Sequence, residues 1–272
     1  MKMFWREATF VGFDVETSGK YPLGAEICEV AAVKWRENKI IDTFQSFVAT
    51  TRPMSQEVIA IHNITNEMLA GAPKSADVMK RLHDFVADDV YMIAHHAPFD
   101  MGFLAPEFEK AQLPLPLNSV FCSSLLARKA LPESENHKLQ TLIRFMGLEK
   151  GQAHRALDDA KACLEVGLKI FAKCPQASID ELLDYQLARL RWGDYTIAPL
   201  IKNPIFSTLI KALDRREMVQ IVYLGGSKPG EARTVFPLGL VRNPLDDYLV
   251  AKEEKDQIAK RYFLKKIKAA RF

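Results

Sequence analysis

The chain is poor in cysteine and has no Cys-x-x-Cys pair. Cys28, Cys122, Cys163 and Cys174 are scattered through 272 residues. That spacing excludes a thiolate metal site and a disulfide framework, and it suits buried, reduced thiols. Long apolar runs are missing too. None approaches the ~20 residues of a membrane span, and the opening "MKMFWREATF" lacks a signal-peptide core, so a cytoplasmic location is expected. There is no internal repeat or low-complexity tract, which excludes solenoid and disordered classes. Net charge is small at +3, but it is uneven. Residues 1–201 carry 22 Lys+Arg against 26 Asp+Glu, or −4, and residues 202–272 carry 15 against 8, or +7. A basic C-terminal part suggests an acidic partner such as nucleic acid.

Hydrophobic residues at 48% and charged residues at 26% are those of an ordinary globular protein, and the length suits two domains. "ATFVGFDVET", "EICEVAAVKW" and "IIDTFQSFVA" read as strands between Gly, Pro or Asn turns. "SADVMKRLHDFVA" reads as a helix with Val78, Leu82, Phe85 and Val86 on its apolar side, and "VYMIAHH" as a buried strand. Alternation of this kind predicts an α/β layer architecture. In "HRALDDAKACLEVGLKIF" the stripe Leu157, Ala160, Leu164, Leu168 and Phe171 predicts the helix that closes the first domain. The expected division is a domain at 1–174, a helical linker at 175–203 and a small β domain at 204–272. In the linker, Ser178 and Glu181 form a capping-box pattern ahead of a helix carrying Ile179, Leu182, Leu183, Leu187 and Leu190. After a short helix near 205–213, brief strand-like runs from "MVQIVYL" onward predict a small mostly-β fold.

The strand "FVGFDVETSG" holds two acids, Asp14 and Glu16. A spacing of two puts both on one face, and burying an unpaired carboxylate costs several kcal/mol. Asp100 in "IAHHAPFD" lies just inside a helix beginning at Pro98, and His154 precedes Asp158 and Asp159 in "HRALDDA". Alone, each has a bland reading: a solvated strand end, a charge complementing the helix dipole, a surface histidine. Together they suit hard divalent cations, which prefer oxygen ligands. Helical periodicity leaves Asp158 and Asp159 open, since neither lies on the apolar stripe.

In this order "FDVET", "HHAPFD" and "HRALDDA" resemble the three exonuclease motifs of the DnaQ-like superfamily, in its DEDD subclass with a histidine base. The likeness covers roughly residues 8–173. It implies a ribonuclease H-like α/β domain, a mixed sheet flanked by helices, that removes nucleoside 5'-monophosphates from 3' ends with two Mg²⁺ or Mn²⁺ ions. It implies Asp14, Glu16, Asp100 and Asp159 as metal ligands and His154 as general base, the histidine-plus-five spacing selecting Asp159. Thr17, His62 and His95 match positions near the terminal nucleotide. Single-stranded DNA or RNA ends are the implied partner, and many members of the subclass are homodimers. Two departures stand out: His96 where the family usually has Asn, and Asn63 where it usually has Gly. Because strand side chains alternate, at most one of His95 and His96 is expected to face the site.

"VQIVYL", "ARTVFPLGLVR", "DDYLVAKEE" and "KRYFLKKI" resemble a WYL domain, a small Sm/SH3-like β fold, although Asp247 replaces the tryptophan of the naming triplet. The resemblance implies a nucleotide or nucleic-acid ligand, with Tyr223, Arg233, Tyr248 and Arg261 as candidate contacts through stacking and phosphate binding. The competing class is a non-catalytic nucleic-acid-binding regulator built on the same two folds.

Overall fold

The computed structural model describes every residue except 1, 88, 150, 187, 255 and 257. After a short 3-10 turn at Trp5–Glu7 come β1 (Phe10–Thr17), β2 (Ile27–Arg36) and β3 (Lys39–Phe47). Then follow α1 (Gln56–His62), α2 (Ser75–Phe85), β4 (Tyr91–Ala94), α3 (Pro98–Lys110), β5 (Val120–Cys122), α4 (Ser123–Ala130), α5 (Leu139–Met146) and α6 (Ala156–Ala172). These strands form one sheet in the order β3-β2-β1-β4-β5, antiparallel on the β3 side and parallel from β1 to β5. It is the mixed sheet expected of a ribonuclease H-like domain.

Both faces of that sheet are covered, which is why β1 and β2 are buried along most of their length. On one face, Val11, Phe13 and Val15 of β1 pack with α2 and α3 through Met79, Leu82, Met101 and Leu104. On the other, Phe10 packs with α4, α5 and α6 through Leu126, Leu142, Leu164 and Phe171. Asp14 and Glu16 share the face of Phe10 and Gly12 by strand alternation, so they point toward the α6 side.

The connecting segment is tied down. Ser178 caps α7 (Ile179–Tyr185) with the full capping box to Glu181. The helix is shorter than its apolar pattern suggests: it ends at Tyr185 with Gln186 as its cap, and the Gln186 side chain turns to β5, accepting the Cys122 N–H at 2.9 Å and donating to the Val120 carbonyl at 3.1 Å. Leu190 forms a bridge with Val120 instead of continuing the stripe, and Leu187 lies outside the described residues. Trp192 and Tyr195 then enter the first core beside Phe13 and Phe108.

Next come α8 (Ala198–Ile201) and α9 (Pro204–Arg215), followed by β6 (Val219–Tyr223), β7 (Ala232–Val241), β8 (Tyr248–Glu253), β9 (Ala259–Phe263) and β10 (Ile267–Arg271). The strands form a second, wholly antiparallel sheet in the order β10-β6-β7-β8-β9. Its core is a separate cluster around Leu209, Leu213, Ile221, Val235, Leu249 and Tyr262. Among the described residues no helix is long and apolar enough to cross a membrane.

Candidate active site

Gly12 lets α6 approach β1: a Cβ there would stand 2.4 Å from the Ala160 carbonyl oxygen and 2.7 Å from Leu164 Cβ. Close packing at Gly12 carries the first turn of α6 to the acidic end of β1. Asp159 sits in that turn, and its Oδ2 accepts the N–H of His154 at 3.0 Å. His154 is exposed and has a left-handed backbone (φ 59°), which turns the chain sharply into the helix. From the opposite layer Asp100, in the first turn of α3, accepts the N–H of Val15 at 3.2 Å, pinning α3 between the positions of Asp14 and Glu16.

These groups meet. Asp14, Glu16, Asp100, His154 and Asp159 line one cavity of about 340 Å³, together with Thr17, His62, His95 and His96. One ligand atom each from Glu16, His154 and Asp159 lie within 4.8 Å of one another. Asp158 faces elsewhere: it accepts the Gln152 N–H at 2.9 Å and lines a different cavity with Trp35 and Lys161. The Thr17 hydroxyl donates to the Gly19 carbonyl at 2.8 Å. His62 is buried, its Nδ1 accepts the Ile64 N–H at 3.0 Å, and its Nε2 lies 3.8 Å from Cys28 Sγ. His95 Nδ1 is 2.9 Å from the Ser123 hydroxyl.

Both His95 and His96 line the cavity, which corrects the expectation that at most one would. The strand ends at Ala94, and His96 is left-handed (φ 61°), so alternation no longer applies. The other departure is also conformational: Asn63 is the left-handed cap (φ 59°) that ends α1, where Gly is the common residue and Asn the usual substitute.

Electrostatically the cavity is short of positive charge. Burial, then the charges of Asp159 and Glu29, push the Glu16 carboxyl up to about 8, against the pull of Arg155. Asp14 is raised well above the ordinary range by burial and then by Asp100, Glu16 and Asp159. Burial also raises Asp100, opposed by the Val15 N–H, and Asp159, opposed by the His154 N–H. Burial lowers His62 and His96, and with the neighbouring His96 it lowers His95 to about 4, so these walls are neutral near pH 7. Carboxylate oxygens that repel one another beside an imidazole are a donor set that fits hard divalent cations.

Glu29 and Arg155 carry a role that motif reading missed. Glu29, fully buried opposite Glu16 on β2, accepts Arg155 Nε at 3.2 Å and Nη2 at 2.9 Å, the Ala156 N–H at 3.1 Å and Gln45 Nε2 at 2.8 Å. The network fastens the turn holding His154 to the sheet. Its sequence signal was a second acid inside an apolar strand, in "EICEVAAV", and an arginine directly after the histidine.

In the second sheet the four candidate contacts do not converge. Tyr223 is buried, packs edge-on against Tyr262 at 5.1 Å, and has the Arg233 guanidinium 5.8 Å from its ring. Arg233 also lies 3.5 Å from Glu253. Tyr248 and Arg261, with the guanidinium 5.0 Å from the ring, are each adjacent in sequence to a core-facing residue, Leu249 and Tyr262, and so stand on the opposite face. Asp247, in the tryptophan position, closes the β7–β8 turn by accepting Arg242 Nε at 3.0 Å and the Asn243 N–H at 2.9 Å.

Comparison with known proteins adds two family matches. The model described as Exonuclease matches residues 11–166, and the WYL domain model matches residues 204–272. The PolC-type DNA polymerase III of Oceanobacillus iheyensis is 42% identical over 156 residues, 57% of this chain and 11% of that protein. That of Bacillus subtilis is 38% identical over 180 residues, 65% of this chain and 12% of that protein. The chain thus spans about a tenth of the length of these curated relatives. Among solved structures, exonuclease X in complex with 5' overhanging duplex DNA superposes with a TM-score of 0.51 at 26% identity, covering 65% of this chain and 99% of that one. E. coli exonuclease I with a dA16 oligonucleotide gives 0.55 at 18% identity over 90% of this chain and 55% of that one, a likeness of fold.

Proposed function

The chain belongs to the exonuclease family, with a DnaQ-like domain joined to a WYL domain, and from that premise we propose that it is a metal-dependent 3'-5' exonuclease releasing nucleoside 5'-monophosphates. The observation that carries this reading is the meeting of four carboxylates from β1, α3 and α6 with His154 in one cavity. Asp14, Glu16, Asp100 and Asp159 would hold two Mg²⁺ or Mn²⁺ ions. Such ions supply positive charge for the attacking and leaving oxygens of a phosphodiester.

The chain's own residues do the rest. His154, exposed at the cavity, takes the proton of the attacking water, and the bond from its N–H to Asp159 together with the Glu29–Arg155 pair orients its turn. Thr17, His62 and His95 form the wall against the terminal nucleotide. His62 and His95 act there as neutral groups, consistent with a site whose cations are metals. The strand beyond the cavity is DNA or RNA. The C-terminal domain, with its +7 excess and the exposed Arg261 beside Tyr248, supports a grip on the phosphate backbone. The working division is residues 1–174 for hydrolysis, 175–203 as connector and 204–272 for binding.

The test is a labelled single strand incubated with Mn²⁺ or Mg²⁺ and again with EDTA. Stepwise release of mononucleotides from the 3' end, abolished by EDTA, is expected. Binding without any metal-dependent release would assign the chain to the non-catalytic regulators instead.

A further inference from the structure

The loop between β1 and β2 touches two places at once. Gly19 and Lys20 line the acidic cavity. A few residues on, Tyr21–Gly24 lie against β7 of the C-terminal sheet. The Pro22 carbonyl accepts the N–H of Leu240 at 3.1 Å. Gly24 is so close to β7 that a Cβ there would stand 2.0 Å from the Leu238 carbonyl oxygen, and a Cβ on Gly239 would stand 2.2 Å from Tyr21 Cβ. Leu23, left-handed at φ 60°, packs into the C-terminal core.

The topology explains this seat. β6 pairs with β7 only over Ala232–Val235, so the far half of β7 pairs with β8 alone and leaves an edge to be covered. The loop covers it. At its neck the Ser18 N–H bonds the Glu26 carbonyl at 2.8 Å and the Glu26 N–H bonds the Ser18 hydroxyl at 2.8 Å, and its tip is seated between Gly102 of α3, which Pro22 approaches, and β7 of the other sheet. Ordering a loop costs about 1–2 kcal/mol of backbone entropy per residue, and the contacts with β7 offset part of that cost.

Among the described residues lining the cavity, Lys20 is the single lysine or arginine, and it is exposed. Facing a site of carboxylates and metal, an ammonium at the rim suits a backbone phosphate next to the one being cleaved. We propose that the C-terminal domain is a positioning element of the nuclease site: it holds Tyr21–Gly24 so that Lys20 contacts a phosphate of the bound strand. The proposal rests on the nuclease reading above. It makes the second domain part of the site, whatever ligand that domain also takes.

The experiment uses the full chain with Lys20→Ala, Lys20→Arg, Gly239→Val and the Lys20→Ala/Gly239→Val double variant, assayed on a single-stranded oligonucleotide. Lys20→Ala should raise KM about tenfold, the scale of one charge-assisted bond, with kcat within about twofold, and Lys20→Arg should restore KM. Gly239→Val should raise KM similarly, and the double variant should be no worse than either single one. In metal-free protein, hydrogen exchange at amides 18–26 should quicken in Gly239→Val while β8 and β9 stay protected. Should Gly239→Val loosen β8 itself, Leu23→Ala weakens the loop's seat at a second point, where Leu23 packs on the C-terminal core, and must give the same exchange and KM. An unchanged KM for Lys20→Ala, additive effects in the double variant, or unchanged exchange of the loop in Leu23→Ala each overturn the proposal. If the wild type releases no nucleotide at all, the nuclease reading falls, and the exchange arm still decides whether the domain holds the loop.

Discussion

At the scale of single residues, Glu16 states the problem the site solves. Its carboxyl rises from an ordinary 4.5 to about 8 because it is buried among other acids. A folded-state pKa above the unfolded one means that the folded protein binds more protons, so this contribution to stability is complete below about pH 4.5 and is lost as pH climbs toward 8. Asp14, Asp100 and Asp159 shift the same way. The expected outcome is that metal-free protein has a lower melting temperature at pH 8 than at pH 5.5, and that Mn²⁺ raises it far more at pH 8. A Mn²⁺ effect independent of pH in a calorimetric series would mean that these carboxylates do not hold the ion. Asp14→Ala should abolish turnover yet leave oligonucleotide binding in EDTA largely intact, with hydrolysis near wild type as the contrary result. Glu29 makes a separate case, since its charge is already satisfied by Arg155, Ala156 and Gln45. Removing one partner of a buried pair typically costs 3–5 kcal/mol, and Arg155 is a quarter exposed, so Glu29→Gln should cost nearer ~2 kcal/mol in denaturant melts. It should also lower kcat more than it raises KM, because the turn bearing His154 loosens; an unaltered kcat would leave Glu29 a purely structural residue.

At the scale of elements, the site depends on how closely α6 sits on β1. Gly12 is the contact point, and replacing it by alanine sets a methyl group 2.4 Å from a helix carbonyl that has no room to yield. Overpacking of this kind costs about 1–3 kcal/mol, and here it also lifts Asp159 and His154 away from Asp14 and Glu16. Gly12→Ala should therefore lose activity out of proportion to its loss of stability, measured as kcat well below the melting midpoint; a variant less stable but fully active would show that α6 can shift freely. Much of this arrangement was legible in the chain. The two-residue spacing of Asp14 and Glu16 gives their shared face, Pro98 gives the start of α3, and the Ser178–Glu181 box gives the start of α7. What was not legible depends on partners distant in sequence. The early end of α7 coincides with the Gln186 side chain bonding β5, and His95 and His96 both reach the cavity because a left-handed turn follows β4. Asp159 over Asp158 is an intermediate case: the helix pattern allowed either and only the family spacing selected Asp159, which in the structure accepts the His154 N–H and lines the cavity while Asp158 turns to the Gln152 N–H.

At the scale of the whole molecule, charge is divided between the parts that would share one substrate. The first 201 residues are net −4 and concentrate acid in the cavity, and the remaining 71 are net +7. A strand whose 3' end enters the acidic cavity needs its phosphates neutralised elsewhere, and the C-terminal sheet offers Arg261, Lys266 and Lys268 exposed on or beside its two outer strands, β9 and β10. None of the three lies in the nuclease cavity, so their effect should appear in binding and leave the chemical step alone. Each phosphate contact to a single strand releases condensed counterions and contributes about 0.7 to the slope of log affinity against log salt. The triple variant Arg261→Gln, Lys266→Gln and Lys268→Gln should flatten that slope by up to ~2 and weaken binding most at low salt, with kcat at saturating oligonucleotide unchanged. Fluorescence anisotropy in EDTA from low to moderate salt reads this directly. Equal slopes for the variant and the wild type would mean that the strand runs along the exonuclease domain alone, leaving the second sheet to act only through the loop it holds.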